Sequence, residues 1–368
     1  MRYVDEYRDP RAARRLVAEI RRTATKPRQI MEVCGGQTHT LIRYGIDELL
    51  SGAVDLIHGP GCPVCVTPLE KIDRALAVAS RPRVVFATFG DMVRVPGSDG
   101  DLLRAKARGA DVRIVYSPTD ALALAEKHPD REVVFFAVGF ETTAPANAMS
   151  VWMADKKGIE NFSILVSHVR VPPAIRIIMD DPYSQVQGFI APGHVCSIMG
   201  YREYEELARE YDVPFVVAGF EPLDLLQGLL MLVELMEEDR AVTRNQYTRS
   251  VRPDGNPQAK KIMNEVFEIC GMTWRGIGPI AESGLRLRDR FAHYDAERRF
   301  DVESVKAEEP AACIAGAVLQ GKKKPHECEA FGKECTPEHP LGAPMVSTEG
   351  ACSAYYAFRK FEDVDHGV

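Results

Sequence analysis

The stretch 54-VDLIHGPGCPVCVTP-68 runs from a short apolar segment through a Gly/Pro turn into two thiols three positions apart. A run this short, closed by Gly59, Pro60 and Gly61, reads as a strand that ends abruptly, with a helix to follow. The same unit recurs from Gln29 to about Arg240, with candidate strands at 29-QIMEVC-34, 54-VDLIH-58, 83-RVVFAT-88, 112-VRIVY-116, 132-EVVFFAV-138, 162-FSILVS-167, 186-VQGFIA-191 and 214-PFVVAG-219. Near-continuous apolar strands alternating with helical stretches imply parallel sheets covered on both faces, the signature of an α/β fold.

A repeat lies inside this pattern. The segments 57-IHGPGC-62 and 85-VFATFGD-91 resemble 190-IAPGHVC-196 and 215-FVVAGFE-221. The expectation is two similar parallel-sheet α/β lobes around a central cleft, residues 29–128 and 129–240, arisen by duplication. After Arg240 no strand and helix alternation is evident. Residues 241–368 are expected to form a C-terminal region with few or no strands, including an amphipathic helix over 257–270 opened by Pro257. Residues 1–28 are read as an N-terminal helix packed with that region.

At 368 residues, 45% hydrophobic and 27% charged, the chain has the composition of an ordinary globular protein with sizeable cores. A net charge of -7 argues against nucleic acid as a partner, because phosphate binding relies on clustered positive charge. The single basic run, Lys322 to Lys324, reads as a solvated loop. The most apolar stretch, 223-LDLLQGLLMLVELM-236, carries Asp, Gln and Glu and is shorter than the roughly 20 residues a membrane span needs. The N-terminus alternates charges where an export signal would be apolar. A cytoplasmic address is therefore expected, and in that reducing compartment the nine cysteines point to metal or redox chemistry.

Four of them, Cys313, Cys328, Cys335 and Cys352, follow the spacing C-x14-C-x6-C-x16-C with Gly and Pro between. Four thiolates on irregular backbone can wrap a tetrahedral zinc or a cubic iron-sulfur cluster. Zinc sites usually bring close CxxC pairs, which are absent here, so the spacing favours a 4Fe-4S cluster. Cys62 and Cys65 form a CxxC in a turn expected to be exposed, suited to thiol redox or to one edge of a metal site. In 34-CGGQTHT-40 a third strand end carries Cys34, two glycines that admit close approach of a ligand, and His39 as a base, donor or ligand. In open α/β sheets functional groups gather beyond the carboxyl ends of the strands. Cys34, Cys62, Asp91, Glu141, His168, His194 and Glu221 all fall there and are candidates to share one cleft. Cys196 and Cys270 read as inert buried thiols. No Walker A or GxGxxG loop is present, so a nucleotide-hydrolysing enzyme has no phosphate-binding loop to support it, although weak ATP turnover by a complex is left open.

With these residues assembled, CGGQTH (34–39), GPGCPVCVTP (59–68), TFGDMVRVPGS (88–98), GFETTAP (139–145), PGHV (192–195), GFEPLDLLQG (219–228), WRGIGPI (274–280) and the spaced C-terminal cysteines closely resemble the HypD family, iron-scaffold proteins of nickel-iron hydrogenase maturation, nearly end to end. The resemblance implies two α/β lobes around a cleft and a C-terminal 4Fe-4S cluster held by Cys313, Cys328, Cys335 and Cys352. It implies a small chaperone partner, HypC, and a cyanide donor, HypE. Between the chain and HypC a single iron would be held while cyanide and carbon monoxide are added to give Fe(CN)2CO. Cys34 would ligate that iron together with a HypC cysteine, and Cys62 and Cys65 would be the cleft dithiol that passes electrons. Family members often have His where this chain has Gln37, whereas His39 is retained. The alternative is a thiol-disulfide reductase of the ferredoxin-dependent kind, acting on a protein substrate through the same cysteines.

Overall fold

A computed structural model describes residues 5–305, 307 and 311–359. Eight strands form where the apolar runs place them, β1 (Arg28–Glu32), β2 (Val54–His58), β3 (Val84–Thr88), β4 (Asp111–Ile114), β5 (Glu132–Gly139), β6 (Phe162–His168), β7 (Gly188–Pro192) and β8 (Phe215–Ala218). They build two all-parallel sheets. One has the order β2-β1-β7-β8-β9, completed by the short β9 (Thr243–Asn245), and the other the order β4-β3-β5-β6. The central strands are buried on both faces, as uniformly apolar sequences require.

The two lobes are interleaved along the chain, not consecutive. The chain lays down β1 and β2, crosses to build all of the four-stranded sheet, and returns to finish the first sheet with β7, β8 and β9. The expected division at 128/129 therefore coincides with no sheet boundary, and the first lobe extends beyond Arg240 to include β9. The matched segments at 57–62 and 190–196 follow strands of one sheet, while those at 85–91 and 215–221 follow strands of different sheets. The repeat does not map one lobe onto the other. Every parallel βα unit needs the same apolar strand and Gly-rich turn, so a likeness between turns says nothing about which strands pair.

The N-terminal helix, Pro10–Thr23, is capped by Asp9 and packs on helix Pro222–Glu237, not on the C-terminal region. Helix Pro222–Glu237 is apolar nearly all round. One side covers the first sheet, and Leu16, Val17 and Ile20 join it in a common core. The Arg28 to Glu237 ion pair, at 2.8 Å and largely buried, fastens the start of β1 to its end.

Beyond Asn256 the amphipathic helix ends at Val266 instead of running to Cys270, and the chain enters an antiparallel hairpin. Its strands are β10 (Phe267–Trp274) and β11 (Gly278–Leu287), with Gly276 and Gly278 at φ of 71° and 107° in the turn. The hairpin packs against β6 and helix Val171–Asp180, and buries Trp274 with its indole N–H donating to Ser283 Oγ at 3.0 Å. From Ala311 to Arg359 the chain is turns and short helices.

Candidate functional site

In the first sheet the connection direction reverses between β1 and β7, and in the second between β3 and β5. These reversals open crevices at the carboxyl ends of the strands. Cys34 and His194 flank the first crevice, Asp91 and Glu141 the second.

Parallel pairing in the register Glu32 to His58 brings the ends of β1 and β2 side by side. The Gly35 N–H donates to the Gly61 carbonyl at 2.7 Å. A Cβ on Gly61 would lie 2.2 Å from the Cys34 nitrogen, and one on Gly35 would lie 2.5 Å from the Glu349 carbonyl and 3.2 Å from Cys62 Cβ. Only glycine lets the two turns and the C-terminal segment meet this closely. Cys34 thus lies against the CPVC turn, at the N-cap of helix Gly35–Arg43. Cys62 caps helix Pro63–Val66, accepts from the Cys65 N–H at 3.2 Å, and is bonded to Cys65 as a disulfide with the Cα atoms 5.2 Å apart. Both halves of the pair are buried, at 3% and 0% exposure, which corrects the expected exposed turn. The C-terminal 343–349 segment and the second lobe cover it. Cys34 is half-buried, and burial, then the Glu349 and Glu32 carboxylates, push its thiol well above the usual range against the pull of the Gly36 and Gln37 N–H groups.

The remaining strand-end candidates divide. Asp91 accepts from Ser347 Oγ at 2.9 Å and so faces the C-terminal segment beside Cys34. His194 stacks on Phe220 with ring centroids 3.7 Å apart, and Phe220 also borders Gly36. Glu221 instead pairs with Arg8 and caps helix Pro222–Glu237. Glu141 and His168 are buried in the second lobe. Glu141 accepts from the Val171 N–H at 3.1 Å, with burial lifting its carboxyl to about 7, and burial holds His168 down to about 3 beside Asn147. His39 donates from Nδ1 to the Thr348 carbonyl at 3.0 Å and packs edge-on against Phe358, so its contacts are with the C-terminal segment and not with Cys34. Gln37 is fully buried, its amide donating to the Ala191 and Ala218 carbonyls at 3.2 and 3.0 Å, which ties its helix to the ends of β7 and β8. Cys196 is buried as expected, whereas Cys270 is half-exposed on the hairpin.

Cys313, Cys328, Cys335 and Cys352 line one pocket, walled otherwise by Ile314, Phe331, Leu341, Pro344 and Met345. Cys335 Sγ accepts from the Leu341 N–H at 3.4 Å, and a Cβ on Gly342 would strike Cys313 Sγ at 2.5 Å. Burial and the neighbouring sulfurs raise the Cys313 and Cys352 thiols. Among the described residues no three His, Cys, Asp or Glu side chains converge as a group able to hold a metal ion. The segment Ala343–Met345 lines this pocket and also lies against helix Pro63–Val66. A single short stretch therefore separates the four thiols from the Cys62–Cys65 pair.

Three residues went unremarked in the sequence, Glu32, His58 and Glu349. The first two are polar positions inside buried strands, and that mismatch was the available signal. Glu349 stands in a loop with no pattern to mark it.

An interleaved pair of parallel sheets with a thiol, a disulfide and a separate four-cysteine pocket gathered at their carboxyl edges defines a thiol-centred α/β protein. The family model described as HypD, hydrogenase formation hypA family, matches residues 11–359. Proteins named hydrogenase maturation factor HypD are 49% identical over 97% of this chain and 98% of theirs in Rhodobacter capsulatus, and 49% over 97% of both in Azotobacter vinelandii. The Escherichia coli (strain K12) protein of that name is 46% identical over 98% of this chain and 99% of its own. The chain belongs to the HypD family of hydrogenase maturation factors. Among its described residues no helix is long and apolar enough to cross a membrane.

Proposed function

We propose that this chain is the scaffold on which an iron atom, as cargo, receives the cyanide and carbonyl ligands of Fe(CN)2CO, held between Cys34 and a cysteine of a HypC-like chaperone, with a HypE-like partner supplying cyanide. The observation that carries the reading is the placement of Cys34 against the Cys62–Cys65 turn, one short segment away from a separate four-thiol pocket. Burial and the Glu349 and Glu32 carboxylates favour the Cys34 thiol over the thiolate, and a cation beside its sulfur would reverse that balance. Glycines at 35 and 61 let the CPVC turn and Glu349 close on the Cys34 turn.

The four cysteines line one apolar chamber, and Cys335 receives the kind of N–H to sulfur bond that tunes thiolate-bound iron, which supports a cluster there. Cys313, Cys328, Cys335 and Cys352 would hold a 4Fe-4S cluster, which would supply single-electron redox chemistry. Opening the Cys62–Cys65 bond takes two electrons and two protons and yields two thiols. The electrons would come from a reductant outside the chain, and Ala343–Met345 would be the segment lying between the two sites. The buried disulfide is shielded from bulk thiols.

The same disulfide favours a second reading, a thiol-disulfide reductase acting on a protein substrate. Substitution separates the two. Cys34→Ala abolishes hydrogenase maturation in a scaffold and leaves it intact in a reductase, whereas Cys62→Ala abolishes it in both. Protein purified without oxygen should show the broad visible absorption of thiolate-bound iron, lost in Cys328→Ala. Colourless protein holding stoichiometric zinc would overturn the cluster assignment. An infrared spectrum of the complex with the small partner, carrying bands of iron-bound cyanide and carbonyl, would test the cargo directly.

A further inference from the structure

We infer that Glu32, His58 and Tyr355 are positioning residues for Cys34, forming a buried hydrogen-bonded line that ties the Cys34 turn to the helix carrying Cys352. The inference rests on the reading of Cys34 as the working thiol.

Glu32 ends β1 and is completely buried. Its carboxylate gathers three donors, the Cys34 N–H at 2.9 Å, the Thr38 hydroxyl and His58 Nδ1 at 2.8 Å. His58 ends β2 at 5% exposure, and its Nε2 stands 3.1 Å from the Tyr355 hydroxyl. Facing a carboxylate that already accepts from the Cys34 N–H and the Thr38 hydroxyl, the ring presents Nδ1–H to Glu32. In the neutral ring with that tautomer, Nε2 accepts from the Tyr355 O–H. Each bond fixes the sense of the next. The line starts at the backbone of Cys34 and ends on helix Ala351–Phe358, which also bears Cys352.

Fold stability does not account for this arrangement. A carboxylate costs several kcal/mol to bury, and an apolar residue of similar volume at such a position is commonly neutral or stabilising. The preceding positions on the same strands, Ile30, Met31, Leu56 and Ile57, are buried and apolar. What a polar line provides and an apolar contact lacks is direction. It holds the Cys34 N–H at one angle, and with it the extended backbone at φ -149° from which the thiol projects. The resemblance between a carboxylate–imidazole pair behind a thiol and the outer-shell pairs that orient metal ligands is one of chemistry, since both fix a ring by its second nitrogen.

The test is the rate at which Cys34 is alkylated by iodoacetamide at fixed pH, read residue by residue by mass spectrometry on the full chain without added iron, so that it stands whether or not the protein takes up a cluster. Tyr355→Phe removes one O–H, and His58→Leu removes both bonds of the ring. Tyr355→Phe is expected to raise the Cys34 rate about fivefold, the factor matching one ordinary hydrogen bond, and His58→Leu to raise it further. The half-exposed Cys270 serves as an internal reference and keeps its parent rate. His58→Gln, whose amide can donate to Glu32 and accept from Tyr355, is expected to stay near the parent. If His58→Leu fails to fold, Tyr355→Phe decides. An unchanged Cys34 rate in folded Tyr355→Phe overturns the inference, and so does equal acceleration of Cys270, which would mean general loosening. Failure of the scaffold reading shows separately, as a chain that takes up no iron yet keeps the Cys34 pattern.

Discussion

Glu141→Gln is expected to expose a pH dependence of stability that the parent chain conceals. Burial lifts the Glu141 carboxyl from 4.5 to about 7 in the folded protein. Between those values the unfolded chain has released the proton and the folded chain still holds it, so stability falls as pH rises through the window. At about 1.4 kcal/mol per pH unit the loss totals about 3 kcal/mol. His168 works in the opposite sense. Burial holds it from 6.5 down to about 3, so the unfolded chain binds the proton first and stability rises with pH across that range. Where the windows overlap the two slopes cancel, one proton against one. Glutamine keeps the size of the side chain and an acceptor for the Val171 N–H, and it removes only the titration. Relative to the parent, the variant should therefore gain about 3 kcal/mol between the two pKa values of Glu141, all of it above pH 4.5. Urea denaturation of both proteins in parallel across this range measures the difference. A gap that is flat with pH would refute the reasoning, because it would mean that Glu141 ionises alike in the folded and unfolded chains.

Gly61→Ala places a methyl 2.2 Å from the Cys34 nitrogen, against backbone that cannot swing away, and should cost about 3 kcal/mol or more in denaturation experiments. Arg28→Ala removes the ion pair from Glu237, which is part-exposed and keeps the Thr25 hydroxyl and N–H as donors, and should cost about 1 kcal/mol in the same assay. Gln37→Leu strips a donor from the Ala191 and Ala218 carbonyls and should lower the unfolding midpoint by the equivalent of about 2 kcal/mol, while Gln37→Asn, too short to reach both, should fall between.

The strands were legible because burial on both faces leaves an unbroken apolar run, and β3, β5, β6 and β8 have little else to offer. Their pairing was not. A strand such as β7 presents the same Ile and Phe to any neighbour, so nothing in 186-VQGFIA-191 says that it lies beside β1 rather than in the sheet with β5 and β6. The hairpin after Val266 was missed for a related reason. Its strand β10 exposes Ile269 and buries Phe267 and Trp274, which disrupts the period of two that marks a half-buried strand.

The site was legible in its residue types and opaque in its connections. Cys34, Cys62 and Cys65 announce themselves because thiols and glycines at a strand end have few structural reasons to be there. Glycine at 61 looked like turn chemistry, yet its φ is not in the left-handed region, and what it serves is contact with a turn on the next strand. Glu32 and His58 sit in runs that read as plain strand, and their meaning appears only once register places them opposite each other and Tyr355 arrives from nearly 300 residues away. The C-terminal segment is the common term. Thr348 receives His39, Ser347 reaches Asp91, Glu349 bears on Cys34, and Ala343–Met345 stands between the disulfide and the four thiols. A stretch with no periodicity thus organises the crevice that the periodic part of the chain builds. The reason is physical, since a loop free of ladder hydrogen bonds can spend its carbonyls and hydroxyls on side chains of both lobes.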